Sequence, residues 1–130
     1  AKSSIDRIID GLVAGGSVRV FSDRTVSPTF AIDAAAAIVR LLEVGAPAGL
    51  YHCVNSGWTT WAGLGAEILT LTGARGAVDP VPMASIPMAV RRPLYCALSN
   101  AKLASAGMGM PSWQDALRRH LASRGLLART

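Results

Sequence analysis

Acidic side chains are scarce in this chain, aromatic ones make up only 5% of it, and cysteine occurs just twice in 130 residues. Each shortage removes a class of function. Cys53 and Cys96 lie in separate apolar runs without CxxC spacing, so they read as reduced core thiols of a cytoplasmic protein, with neither a disulfide nor a metal site. His52 and His120 stand near no evident nucleophile and no GxSxG elbow occurs, which leaves His52 as a satisfied strand residue without a catalytic role. Neither a dinucleotide fingerprint nor a phosphate loop is present, because Gly11 to Gly16 and Gly73 to Gly76 lack a strand before and a helix after them and read as helix stops. No apolar run is long enough to span a bilayer and the first residues are polar, unlike a signal peptide, so no membrane partner is expected. The cations are not interleaved with aromatics and no helix-turn-helix is visible, so no nucleic acid is expected either.

What the chain does have is apolar mass and positive charge. Hydrophobic residues make up 51% and charged ones 16%. That composition predicts one compact, soluble domain with a real core, and some hydrophobic surface meant for a neighbour. The net charge is +5, and from Arg91 onward there are seven Lys or Arg residues against the single acid Asp115. A face of that sign suits an anionic small molecule or simply solvent.

Periodicity and punctuation predict the elements. Ser3 or Ser4 caps a helix carrying Ile5, Ile8, Ile9 and Leu12 on one face, and Gly15-Gly16 stop it. Ser17 to Phe21 alternates as a half-exposed strand, Ser22 to Arg24 is a turn, and Thr25 to Phe30 is held extended by Pro28. Asp33 is placed to cap an alanine-rich helix from Ala34 to Leu42, with Ile38, Leu41 and Leu42 on one side. Leu50 to Val54 is apolar at nearly every position, the pattern of a strand covered on both faces in a parallel sheet. Thr59 or Thr60 caps a helix from Trp61 to Thr72, under which Trp58 and Trp61 are expected to be buried, and Ala77 to Val81 is a strand. The four methionines read as gap fillers. A short helix runs from Asn100 to Ala106, and Ser112 with Asp115 has capping-box spacing before a last helix whose buried face is Trp113, Ala116, Leu117 and Leu121.

One stretch, Arg91-Arg92-Pro93-Leu94-Tyr95, combines cations with a stiff backbone. Pro93 has a locked φ and pushes Arg92 into an extended conformation, so its guanidinium leaves the chain in a defined direction, suited to a bidentate grip on phosphate or carboxylate. The alternative is that both arginines are solvated surface charges.

Four motifs in order carry a resemblance through nearly the whole chain. They are Phe21-x-Asp23-x-x-x-Ser27-Pro28-Thr29-Phe30 with Asp33; Gly49-x-Tyr51-His52 with Gly57 and Trp61; Arg92-Pro93-x-Tyr95-x-x-Leu98-Ser99-Asn100-x-Lys102-Leu103; and Pro111-x-Trp113 with Ala116-Leu117. Together they resemble the C-terminal, substrate-binding part of the dTDP-4-dehydrorhamnose reductases, a branch of the extended short-chain dehydrogenase/reductases. The resemblance implies an α/β fold, a small mixed sheet with helices, from which the N-terminal Rossmann part is absent. It also implies participation in an oxidoreductase of dTDP-rhamnose biosynthesis that reduces the 4-keto group of a nucleotide-linked deoxysugar with NADPH or NADH. The family's catalytic Tyr-x-x-x-Lys has no counterpart, since Tyr51 is followed at that spacing by Asn55 and Tyr95 by Ser99. Residues 1–130 are therefore expected to be a nucleotide-sugar-binding fragment that is inactive alone and holds no cofactor, with 33–54 docking on the missing cofactor domain and a homodimer as a further possibility. Arg92 is the candidate ligand for the substrate diphosphate, Ser27, Pro28 and Thr29 are expected in the same cleft, and Arg24 is a weaker candidate. Two other readings stand beside this one: a non-catalytic regulatory or scaffold relative of the same fold, and, on charge alone, a small basic nucleic-acid-binding module.

Overall fold

A computed structural model of the chain describes residues 2–128. The first helix, α1 (Ser4–Val13), forms as its periodicity predicts, with Ile8, Ile9 and Leu12 buried. Its capping box is complete: Ser3 Oγ accepts from the Asp6 amide at 3.1 Å while the Asp6 carboxylate accepts from the Ser3 amide at 3.4 Å. There follow β1 (Ser17–Phe21), β2 (Thr25–Val26), α2 (Ala31–Glu43), β3 (Thr59–Thr60), α3 (Trp61–Thr72), β4 (Ala77–Val81), β5 (Tyr95–Cys96), α4 (Ala101–Ser105) and α5 (Trp113–Ser123), with one 3₁₀ turn at Met83–Ser85. The strands make two small sheets. In the first, β1 runs parallel to β4, from Ser17 opposite Ala77 to Phe21 opposite Val81. In the second, β2 is central, antiparallel to β3 and parallel to β5, so that Thr25 faces both Thr60 and Tyr95.

The main core lies where α1, α3 and α5 meet the parallel pair, and Ile9, Leu12, Leu64, Ile68 and Leu121 are fully enclosed there. Gly65 lets α3 close on β4, since a Cβ at that position would stand 2.8 Å from Val78 Cγ2. A smaller cluster gathers Ala37 of α2 with Leu103 and Met108. No helix among the described residues is long and apolar enough to cross a membrane.

Several sequence expectations are corrected. Leu50 to Val54 is not a strand: no partner strand runs beside it, and Leu50 is 76% exposed. Side chains tether the segment instead, with Tyr51 Oη donating to Pro47 O at 2.8 Å and Asn100 Nδ2 donating to Val54 O at 3.0 Å. α2 begins at Ala31, so Asp33 lies inside its first turn, and Phe30 occupies the N-cap without a side-chain cap bond. The small side of α2 turns inward through Ala37, leaving Ile38 and Leu42 exposed. Trp58 is 62% exposed because it precedes β3 on the outside, whereas Trp61 is half-buried. The Ser112 box is half made: Ser112 Oγ accepts from the Asp115 amide, but the Asp115 carboxylate takes its hydrogen bond from Arg119. Cys53 and Cys96 are free and half-buried, outside the main core. Of the methionines, Met83 and Met108 are buried, as gap fillers are.

Candidate functional site

A crevice opens where the parallel strands end. After Phe21 the chain turns away into β2, held by the Ser22 amide donating to Val81 O at 2.9 Å. After Val81 it passes through Pro82 into the 3₁₀ turn, anchored by the Met83 amide donating to Asp23 Oδ1 at 2.9 Å. Ligands of open α/β sheets sit at such carboxyl ends, where the connections diverge. The space there is a cavity of about 490 Å³. Its apolar wall includes Ile8, Val20, Phe21, Trp61 and Val81, with Ile86 and Met88 from the proline-broken segment.

Two of the predicted residues, Arg24 and Arg92, line this cavity. The β2–β5 pairing brings them together across a long stretch of sequence. The Thr25 amide donates to Leu94 O at 2.7 Å and Thr25 stands opposite Tyr95, so the residues just upstream of both strands converge. Arg24 Nε is buried without a hydrogen-bond partner, and its Nη2 has only the weak acceptor Cys96 Sγ at 3.7 Å. A buried guanidinium N–H left open is an expensive feature unless something else accepts from it. Two further arginines, Arg7 of α1 and Arg19 of β1, line the same space, and no carboxylate does. Sequence reasoning passed over both: Arg7 flanks a buried helix face and Arg19 is an outward position of an alternating strand, and neither pattern signals a site.

The structure separates Ser27, Pro28 and Thr29 from this cavity rather than placing them in the same cleft. Pro28 and Thr29 border a second, smaller space of about 260 Å³ beside Phe30, Trp113 and His120. Ser27 borders neither; its Oγ accepts from the Leu98 amide at 3.0 Å and ties the segment to the chain beyond β5. Arg91 is exposed and outside the cavity.

Other cations are committed to structure. Arg119 grips Asp33 through both terminal nitrogens, at 2.9 and 2.6 Å, and its Nε donates to Asp115 at 2.8 Å. Asn55, 1% exposed, donates to Asp33 Oδ2 at 2.7 Å and to Pro111 O at 3.1 Å, and accepts from the Phe30 amide at 2.8 Å. The Arg119 hydrogen bonds, then that of Asn55, hold the Asp33 carboxyl below its ordinary range, and the carboxylates in turn raise Arg119. Arg124 bonds Asp10 and Asp6. Two cations of the basic C-terminal third, Arg119 and Arg124, are thus paired internally. Gly15 and Gly73, both at positive φ, follow the ends of α1 and α3 and stop those helices.

Known proteins share this architecture. The family model described as RmlD substrate binding domain matches residues 2–125. A dTDP-4-dehydrorhamnose reductase of Mycobacterium tuberculosis is 35% identical over 115 residues, covering 86% of this chain and 38% of that protein. The spore coat polysaccharide biosynthesis protein SpsK of Bacillus subtilis is 34% identical over 107 residues, covering 82% and 37%. Among solved structures, a dTDP-4-dehydrorhamnose reductase from Bacillus anthracis, in complex with NADP, superposes with a TM-score of 0.85 at 25% identity over 95% of this chain and 44% of that one. One from Clostridium acetobutylicum gives 0.85 at 22% identity over 96% and 45%. The chain therefore spans less than half the length of each of these proteins. With the match running through residues 2–125, it belongs to the dTDP-4-dehydrorhamnose reductase family, as that family's substrate-binding domain.

Proposed function

We propose that this chain binds the nucleotide-linked deoxysugar of a reductase that converts its 4-keto group to an alcohol at the expense of NADPH or NADH. The observation that carries the reading is the cavity at the ends of β1 and β4, where Arg24 and Arg92 meet apolar walls without any lining carboxylate. Arg92 takes the substrate diphosphate in a bidentate grip, and Arg24 stands beside it with an open N–H. Phe21 and Trp61 give the neutral part of the ligand an apolar surface. The cofactor and the group that protonates the substrate belong to the remainder of the protein, because this chain has neither the glycine-rich turn nor a Tyr-x-x-x-Lys.

Calorimetric titration with a dTDP-deoxysugar tests the reading. A charge-assisted hydrogen bond contributes roughly 1.5–3 kcal/mol, so Arg92→Ala is expected to weaken binding about tenfold or more. Arg92→Lys keeps the charge but loses the fork, and restores affinity only in part. Arg91→Ala is expected to change nothing. Loss of binding in the Arg91 variant alone points to the wrong arginine, and indifference to both substitutions makes them surface charges.

A further inference from the structure

We propose that Arg7 and Arg19 form a second phosphate-binding pair in the cavity that Arg24 and Arg92 also line, making the site selective for a nucleoside diphosphate over a monophosphate. The inference rests on the nucleotide-sugar reading and extends it to two further lining residues. Four arginines from four separate places, α1, β1, the turn before β2 and the segment before β5, line one space of about 490 Å³, with Arg24 half-buried and Arg7, Arg19 and Arg92 exposed at its rim. Elsewhere Arg40, Arg119 and Arg124 each hold a carboxylate, while Arg75, Arg91 and Arg118 are exposed on the surface. Among the described residues Arg7, Arg24 and Arg92 hold none. Arg19 spends one N–H, its Nε, on Asp79 at 3.3 Å, which leaves both terminal nitrogens available.

Like charges gathered around a partly apolar space are stabilised by an anion that they share. The number of forks indicates which anion. Two linked phosphates offer more acceptor oxygens, spread over a longer span, than a single phosphate does, and so suit forks arriving from several separate elements. The concave, apolar-walled shape suits a small molecule and not a polynucleotide backbone, which needs an extended basic groove. Arg7 and Arg19 therefore act on the charge of the ligand, while Phe21 and Trp61 meet its neutral part.

The test is calorimetric titration of the whole chain and its variants with thymidine diphosphate and thymidine monophosphate. The unaltered chain is expected to bind the diphosphate about tenfold tighter or more. Arg7→Ala and Arg19→Ala are each expected to weaken diphosphate binding about five- to tenfold, leave monophosphate binding within about twofold, and so collapse the ratio; Arg7→Lys and Arg19→Lys restore it in part. Thermal melts matching the unaltered chain establish that the variants are folded. If the diphosphate binds in an Arg92-dependent way but the ratio survives both alanine substitutions, the second pair is overturned and the nucleotide-sugar reading stands. If the unaltered chain does not distinguish the two nucleotides, the proposed selectivity is likewise overturned. If it binds neither, the nucleotide-sugar reading itself falls, and this inference with it.

Discussion

Gly76 shows how closely single positions are constrained. It lies just before β4, against the end of α1, where a Cβ would stand 2.7 Å from Leu12 Cα and 2.9 Å from Gly16 O. Those are backbone atoms, and no rotamer change moves them. Gly76→Ala therefore has to push α1 away from the parallel pair, and overpacking of this kind costs about 1–3 kcal/mol. Gly109 is the control, because nothing lies within 4 Å of its Cβ position and its φ is not positive. Gly109→Ala is expected to be neutral, or stabilising by about 0.4–1 kcal/mol through the unfolded chain. Urea midpoints of the two variants check the pair, and equal losses would contradict the steric account. The arginines illustrate the opposite case, residues whose meaning is not local: Arg7 and Arg19 acquire a shared role only because α1 and β1 end up on one cavity.

Between elements, carboxylates are the fasteners. Asp33 joins α2 to α5 through Arg119, and Asp6 joins α1 to α5 through His120 at 2.9 Å. Asp6 is held below its ordinary value of 3.8 by the Ser3 and His120 hydrogen bonds, Asp10 by those of Lys2 and Arg124, and Asp33 by those of Arg119 and Asn55. On acidification the unfolded chain takes up these protons first, near the ordinary value, while the folded chain resists until lower pH. Stability from these carboxylates is thus fully present above about pH 4 and falls as pH drops through the folded values. Urea midpoints from pH 7 to pH 2 are expected to be flat and then to decline below that point; Asp33→Asn is expected to lower the plateau and soften the decline. A decline centred near pH 6 would assign the linkage to other groups. The same elements show what was legible in the sequence. β1, α3 and β4 appear at their expected positions, and α1 and α5 carry the expected buried faces, because caps, periodicity and glycine stops are local information. Leu50 to Val54 failed as a strand because pairing needs a distant partner, which apolar composition alone does not supply. Asp33 has the local spacing of a cap for a related reason, since its partners, Arg119 and Asn55, lie far along the chain. Around the candidate site, the stiffness that Pro93 imposes on Arg92 is local information, whereas which cavity Pro28 and Thr29 border depends on how distant elements pack.

For the whole molecule, the telling feature is an apolar surface that the chain does not cover itself. Ile38, Val39 and Leu42 of α2 are exposed, Leu42 at 77%, and Leu50 lies on the tethered segment that follows. Side chains of this kind contribute roughly 1.5–3 kcal/mol each when buried, and a face of several is unusual for a chain that functions unaccompanied. The chain spans 38% of its Mycobacterium tuberculosis relative and 37% of SpsK. We propose that residues 33–54 pack against the cofactor-binding remainder of such a protein, and that the isolated chain covers the same face by self-association. Sedimentation of the chain over a wide concentration range is expected to show a reversible, concentration-dependent oligomer. Leu42→Asp with Leu50→Asp is expected to abolish it while leaving the melting temperature of the dilute monomer unchanged, since both side chains are exposed in the monomer. The same preparation is expected to bind no NADPH and to turn none over, as neither a pyrophosphate cradle nor a Tyr-x-x-x-Lys is in the chain. A strictly monomeric chain at high concentration would show that this face needs no partner, and nicotinamide turnover by the chain alone would place the chemistry within these residues rather than in the part that they are built to meet.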